Sequence, residues 1–271
     1  MDNRSQLSPF SAEETGLFRS HSPVRRSLHT DGNGNRWVIP TTRLSSAAET
    51  AGPAAVLFDL DGTLVDSERL WLEVVRARLD SAGRSASPAL LAEFEGLTTS
   101  EAARRLIALT GESASGERMA EELETSAIEV FSGRLPWIAG ASEALRSLRE
   151  AGIPLGLVTS SSRRWVAAVE RTVPLGRFDA VITADDVLRA KPHPEPYLRA
   201  AELLGAEPGA CIVFEDSAVG ATAATAAGCR LVHVAPDRRC DAGCSADHLP
   251  DLRPVTALWV RGLFAMDAAL R

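Results

Sequence analysis

The sequence predicts an α/β protein: a doubly wound, Rossmann-like parallel sheet that carries an inserted all-helical domain. Three observations carry this. Short unbroken apolar runs recur, each ending in polar or acidic residues, as do strands buried on both faces of a parallel sheet. Amphipathic helical patterns separate most of these runs, the alternation produced when crossover helices cover both faces of a sheet. One stretch, residues 67–134, has helical periodicity alone and is too long for a loop.

Residues 1–53 come first and differ from the rest. They are rich in Ser, Thr, Asn and Gly and show no sustained period, so a mostly disordered extension is expected, with local order at Trp37-Val38-Ile39. Order is expected from Ala54. The strand candidates are Ala54–Phe58, Ile153–Val158, Ala180–Ile182, Cys211–Phe214 and Arg230–Val234, with helical patterns at 141–151, 163–172, 194–205 and 217–227. Within 67–134, Trp71, Val74, Val75 and Leu79 recur at helical spacing, and Gly and Pro interruptions divide the segment into several helices. The core is therefore expected at 54–66 and 135–271, with chain crossings near Val65-Asp66 and Gly133–Pro136. Residues 255–271 read as a closing strand or a helix.

Composition narrows the function. The 271 residues include 28 Arg but one Lys, at position 191, and 36 acidic residues give a net charge of −7. Clustered positive charge, which nucleic acids and anionic membranes require, is missing. No apolar run approaches the ~18 residues that span a bilayer. The polar stretch after Met1 does not resemble a secretory signal, and Cys211, Cys229, Cys240 and Cys244 show no paired spacing. A cytoplasmic protein with reduced thiols follows as the expectation, as a monomer or weak homodimer. A zinc site from His233, Cys240, Cys244 and His248 is disfavoured because the spacing fits no common structural-zinc pattern.

Ligands of such sheets bind at the carboxyl ends of strands, and polar residues gather there. Asp59 and Asp61 follow the first core strand in Asp59-Leu60-Asp61-Gly62-Thr63. Alternate residues of an extended segment face the same way, so both carboxylates can address one ligand, and Gly62 lets the chain turn after them. Glu215-Asp216 follows another strand. Hard oxygen ligands of this kind suit Mg2+, although helix capping by Asp216 and Ser217 is the alternative use. Thr159-Ser160-Ser161-Ser162 stands between a strand and a helix, where hydroxyls and backbone N–H groups cradle anions or simply cap the helix. Lys191 is displayed by the proline-rich turn Lys191-Pro-His-Pro-Glu-Pro-Tyr197, an ammonium suited to offset the carboxylates.

These four elements, in this order, resemble the motifs of the haloacid dehalogenase (HAD) superfamily over about residues 54–235. The strings Asp61-Gly-Thr-Leu-Val-Asp-Ser-Glu68 and Val213-Phe-Glu-Asp-Ser-Ala-Val-Gly220 resemble its sugar-phosphate and glycerol-phosphate phosphatase branch, which inserts a helical cap after the first motif. The resemblance implies a phosphatase in which Asp59 attacks phosphorus and Asp61 acts as general acid and base. It implies that Thr159, Ser160 and Lys191 bind the phosphoryl group, and that Asp59, Asp61, Glu215 and Asp216 hold Mg2+.

The cap then selects the substrate, a small phosphate ester. The cap contains no Lys, which argues against relatives that form a Schiff base there. Intact Asp61 and Glu215-Asp216 argue against the metal-independent dehalogenases. β-Phosphoglucomutase-type mutases are the alternative: they hold a second phosphate with a cap Arg, where this sequence has Thr99 in Glu95–Glu101, and a His where it has Trp71. Arg104 and Arg105 keep that alternative open. The cap loop Glu95–Thr99, with Gly96 in it, forms the candidate substrate-reading surface together with Glu68 and Trp71, and Trp71 is expected in the core of the cap rather than as a sugar platform.

Overall fold

The computed structural model describes residues 25–30, 36–41, 52–131, 135–176, 178–236 and 247–268. Of the N-terminal stretch, Arg25–Thr30 (β1) and Arg36–Thr41 (β2) pair antiparallel, so Trp37-Val38-Ile39 lies in a strand. The rest of 1–53, the region of Cys240 and Cys244, and residues 132–134 at the second chain crossing lie outside the described residues.

The core is a six-stranded, all-parallel sheet of Ala55–Phe58 (β3), Leu155–Val158 (β4), Ala180–Ile182 (β5), Cys211–Glu215 (β6), Arg230–Val234 (β7) and Asp247–Leu249 (β8). The spatial order is β5-β4-β3-β6-β7-β8, so the chain starts at the centre, builds one edge and returns to build the other. The reversal falls between β3 and β6, where Leu57 is opposite Val213 and Phe58 opposite Phe214. Ligands of open α/β sheets bind at such a switch point.

Both faces of the sheet are covered. Val56, Phe58, Leu155, Leu157, Ile212 and Phe214 point into one core, alongside Ala141–Glu150 (α5), Arg163–Thr172 (α6) and Val260 of Ala257–Ala268 (α9). Ala55, Leu57, Val158 and Val213 point into the other, against Glu195–Leu203 (α7) and Ala218–Ala226 (α8). The unbroken apolar strands are thus apolar because neither face sees water. Within the 255–271 stretch, where the sequence left strand and helix open, Ala257–Ala268 is a helix, α9. β8 was not anticipated; three residues are too few to show a period.

Helices Glu68–Ser81 (α1), Pro88–Ala92 (α2), Thr99–Thr110 (α3) and Gly116–Phe131 (α4) fill the insertion. Leu70, Val74, Val75, Leu79, Leu106, Met119 and Leu123 form the apolar centre of this helical cap, which is continuous with the first core. Val65, at the first crossing, makes β-bridges to Asp61 and to Trp137, tying both ends of the insertion together.

Candidate active site

The polar residues converge at the switch point. Asp59 directly follows β3 and Glu215 ends β6; Phe58 pairs with Phe214, and the Asp59 N–H donates to the Phe214 carbonyl at 3.0 Å, which carries the two carboxylates to the same end of the sheet. Lys191 lies between them: its ammonium donates to Asp59 Oδ1 at 2.6 Å, to Glu215 Oε1 at 2.6 Å and to the Val158 carbonyl at 3.0 Å. All three side chains are buried. Burial alone would lower the Lys191 pKa, yet the Asp59 and Glu215 carboxylates outweigh it and hold the ammonium well above its ordinary value.

Asp216 completes an oxygen cluster with Asp59 and Glu215, their ligand atoms within 4.8 Å of one another. The alternative of helix capping resolves here. Ser217 is the N-cap of α8, its hydroxyl accepting from the Gly220 N–H at 3.0 Å. Asp216 instead accepts from Thr63 Oγ1 at 3.0 Å. Burial, then the Glu215 carboxylate, pushes the Asp216 pKa up to about 8, against the Thr63 hydrogen bond and Lys191. The Asp59 carboxyl is raised well above the usual range by burial and by its acidic neighbours, with Lys191 opposing. Gly62 has φ +84°, and a Cβ there would overlap the Asp216 carboxylate, so glycine meets both a turn and a close approach.

Sequence reasoning missed the groups that hold these carboxylates. Glu215 Oε1 also accepts from Tyr197 Oη at 3.1 Å, and Oε2 accepts from the Ser217 N–H and hydroxyl, both at 2.9 Å. Asp61 Oδ1 accepts from Ser67 Oγ at 2.8 Å and from Trp165 Nε1 at 3.0 Å. Its Oδ2 accepts from Ser161 Oγ at 2.7 Å and from the same indole at 3.2 Å. Ser67, Ser161 and Tyr197 stand inside or beside the motif strings, which was the available signal. Trp165 had no signal beyond its place on the buried face of α6.

The other sequence-chosen residues divide. Thr159 is buried at the end of β4, its hydroxyl accepting from the Ser161 N–H at 3.0 Å, and Ser160 is exposed beside it. Glu68 is exposed at the start of α1, and Glu95 and Gly96 are exposed in the turn between α2 and α3, in contrast to the buried cluster. Trp71 packs against the apolar core, and its indole N–H is buried without a hydrogen-bond partner. Arg105 is paired with Glu93 and stacked over the Phe94 ring, while Arg104 is exposed.

The model of the haloacid dehalogenase-like hydrolases matches residues 56–234, which span every element of this site. The chain belongs to that family. Among curated HAD relatives, validoxylamine A 7'-phosphate phosphatase of Streptomyces hygroscopicus subsp. limoneus is 35% identical over 194 residues, 71% of this chain and 91% of its own. Hexitol phosphatase A of Escherichia coli K12 is 35% identical over 184 residues, 66% of this chain and 81% of its own. A solved β-phosphoglucomutase from Clostridium difficile shares the fold, with TM-score 0.67 and 20% identity, over 81% of this chain and 100% of that one. Within the HAD family the chain is an enzyme of the phosphatase class, a phosphoric monoester hydrolase. Among the described residues no helix is long and apolar enough to cross a membrane.

Proposed function

We propose that this enzyme is a Mg2+-dependent phosphatase of small sugar or polyol phosphates that works through a phosphorylated Asp59. One observation carries the reading: a single buried ammonium, Lys191, faces three clustered carboxylates, Asp59, Glu215 and Asp216. Two negative charges remain uncompensated, which a divalent cation with oxygen preference matches.

The residues fit such an ion. Asp59 and Asp216 would hold it directly, together with the Asp61 backbone carbonyl. Both oxygens of Glu215 already accept hydrogen bonds, so Glu215 suits contact through water. When bound, Mg2+ supplies positive charge that screens the carboxylates from the phosphate and polarises a phosphoryl oxygen.

The chain's own residues account for the rest. A carboxylate oxygen of Asp59 attacks phosphorus, forming an acyl phosphate as the bond to the alcohol oxygen breaks. Asp61 gives its proton to that departing oxygen, then takes one from a water molecule. The water oxygen bonds to phosphorus, the Asp59–phosphorus bond breaks, and Asp59 returns as a carboxylate. Lys191, Thr159 and Ser160 bind phosphoryl oxygens, and Lys191 also keeps Asp59 aimed.

We assign the cap to residues 67–134, between core segments 54–66 and 135–271, and give Glu68, Glu95 and Gly96 the task of meeting the substrate's hydroxyls. The names of the phosphatase relatives support a polyhydroxylated substrate. The mutase reading needs a cationic seat for a second phosphate on the cap. Arg105 is committed to Glu93, and Glu95 stands exposed in the turn before α3, which weighs against it. The test is a phosphate-release screen over sugar and polyol phosphates with Mg2+, run beside an assay for glucose 6-phosphate formed from β-glucose 1-phosphate. Free phosphate as the main product supports hydrolysis; accumulation of the isomer overturns it.

A further inference from the structure

We propose that Trp165 is a positioning residue for Asp61, one that ties the proton-transfer carboxyl to the last helix of the cap. The inference rests on the assignment of Asp61 as general acid and base. The indole N–H spans both carboxylate oxygens, at 3.0 and 3.2 Å, so it fixes the plane of the group rather than one oxygen.

The chemistry of the three donors separates their roles. The hydroxyls of Ser67 and Ser161 can donate or accept, so they adapt to either protonation state of Asp61. An indole N–H only donates. It demands a lone pair at the same place whether Asp61 is charged or neutral, and so holds the carboxyl's orientation through both proton transfers.

Trp165 is itself held. It is 6% exposed, and its backbone N–H is bonded by the Ser162 hydroxyl, the N-cap of α6, at 3.0 Å. Its ring meets that of Phe131, the last residue of α4, edge to face with centroids 4.7 Å apart. Earlier in α4, Glu124 pairs with Ser162 and Arg164, and Thr125 with Arg164. One face of the cap's last helix is thus clasped to the first turn of α6, and Trp165 passes that clasp to Asp61.

The test compares two substrates in wild type, Trp165→Phe and Asp61→Asn. The ratio kcat/KM reports the steps up to alcohol release. Glycerol departs from glycerol 3-phosphate as an alkoxide that needs a proton; p-nitrophenol departs from p-nitrophenyl phosphate as a stable phenolate that does not. Trp165→Phe keeps the ring against Phe131 and removes the N–H. We expect it to lower kcat/KM for glycerol 3-phosphate about tenfold and that for p-nitrophenyl phosphate by less than about threefold. With each rate normalised to the folded fraction read from the variant's melting curve, a proportional loss on both substrates, or no loss on either, overturns the proposal. Asp61→Asn separates the underlying reading. If Asp61→Asn also falls equally on both substrates, the assignment of Asp61 has failed. If it is selective while Trp165→Phe is not, only the role of Trp165 has failed.

Discussion

Lys191 shows how much one side chain settles in this molecule. Its three donor contacts go to Asp59, Glu215 and a main-chain carbonyl, inside a space with almost no solvent. An ammonium is compact and can aim its three hydrogens separately, whereas a guanidinium is planar and longer. Lys191→Arg keeps the charge and changes the shape. It should lower kcat by roughly 100-fold or more, measured by phosphate release, because Asp59 would be displaced from the position that the proposed attack on phosphorus requires. Gly220 makes a second argument at this scale. Gly to Ala inside a helix ordinarily gains about 1 kcal/mol of helix propensity. Here a Cβ would overlap the Glu215 carboxylate. Gly220→Ala should therefore raise the Mg2+ concentration needed for half-maximal activity without the usual gain in thermal stability, a combination read from a metal titration and a melting curve.

Single elements carry their own signatures. α3 begins with a capping box: the Thr98 hydroxyl accepts from the Glu101 N–H, and the Glu101 carboxylate accepts from the Thr98 N–H at 2.9 Å and hydroxyl at 2.7 Å. The Thr98 side-chain and backbone hydrogen bonds lower the Glu101 pKa from 4.5. A carboxyl depressed by folding contributes stability above its unfolded pKa and loses it as pH falls through the folded one. Thr98→Ala should cost about 1 kcal/mol near neutral pH and less once Glu101 is protonated in both states, measured by urea unfolding at the two pH values. Legibility also varied by element. The expected helix at 163–172 coincides with α6, because its apolar face lies within the segment and its N-cap, Ser162, stands immediately before it. α9 was ambiguous because apolar residues surround it, which erases the period. Asp59 and the Glu215-Asp216 pair were visible because a strand end marks them, and Lys191 because it is the one lysine of the chain and sits in a proline-rich turn. Trp165 and Tyr197 were hidden because their partners, Asp61 and Glu215, lie 104 and 18 positions away, and no local pattern encodes a contact of that kind.

At the scale of the whole molecule, the site works against the fold that contains it. Three carboxylates packed around one ammonium leave a negative surplus in a buried place, and no apolar packing relieves it. The sheet tolerates this because its two cores extend under the site; Phe58 and Phe214, the residues just before Asp59 and Glu215, stack at 4.9 Å directly below. The strain has a measurable consequence. A cation that binds the folded chain and not the unfolded one adds stability by mass action, about 2.7 kcal/mol at a hundredfold excess over its dissociation constant. For a protein of this size that raises the melting temperature by roughly 5 °C. Mg2+ should produce such a rise, with no substrate present. Asp216→Asn removes one of the crowded charges and keeps the shape and the Thr63 contact. In the absence of metal it should melt higher than the wild type, because the repulsion is lower, and its response to Mg2+ should shrink, because an oxygen charge is gone. The two effects have opposite signs for a single substitution, so a loss of packing cannot imitate them. A variant that melts lower without metal, or that keeps the full Mg2+ response, would show that the cluster is not the place where the ion binds.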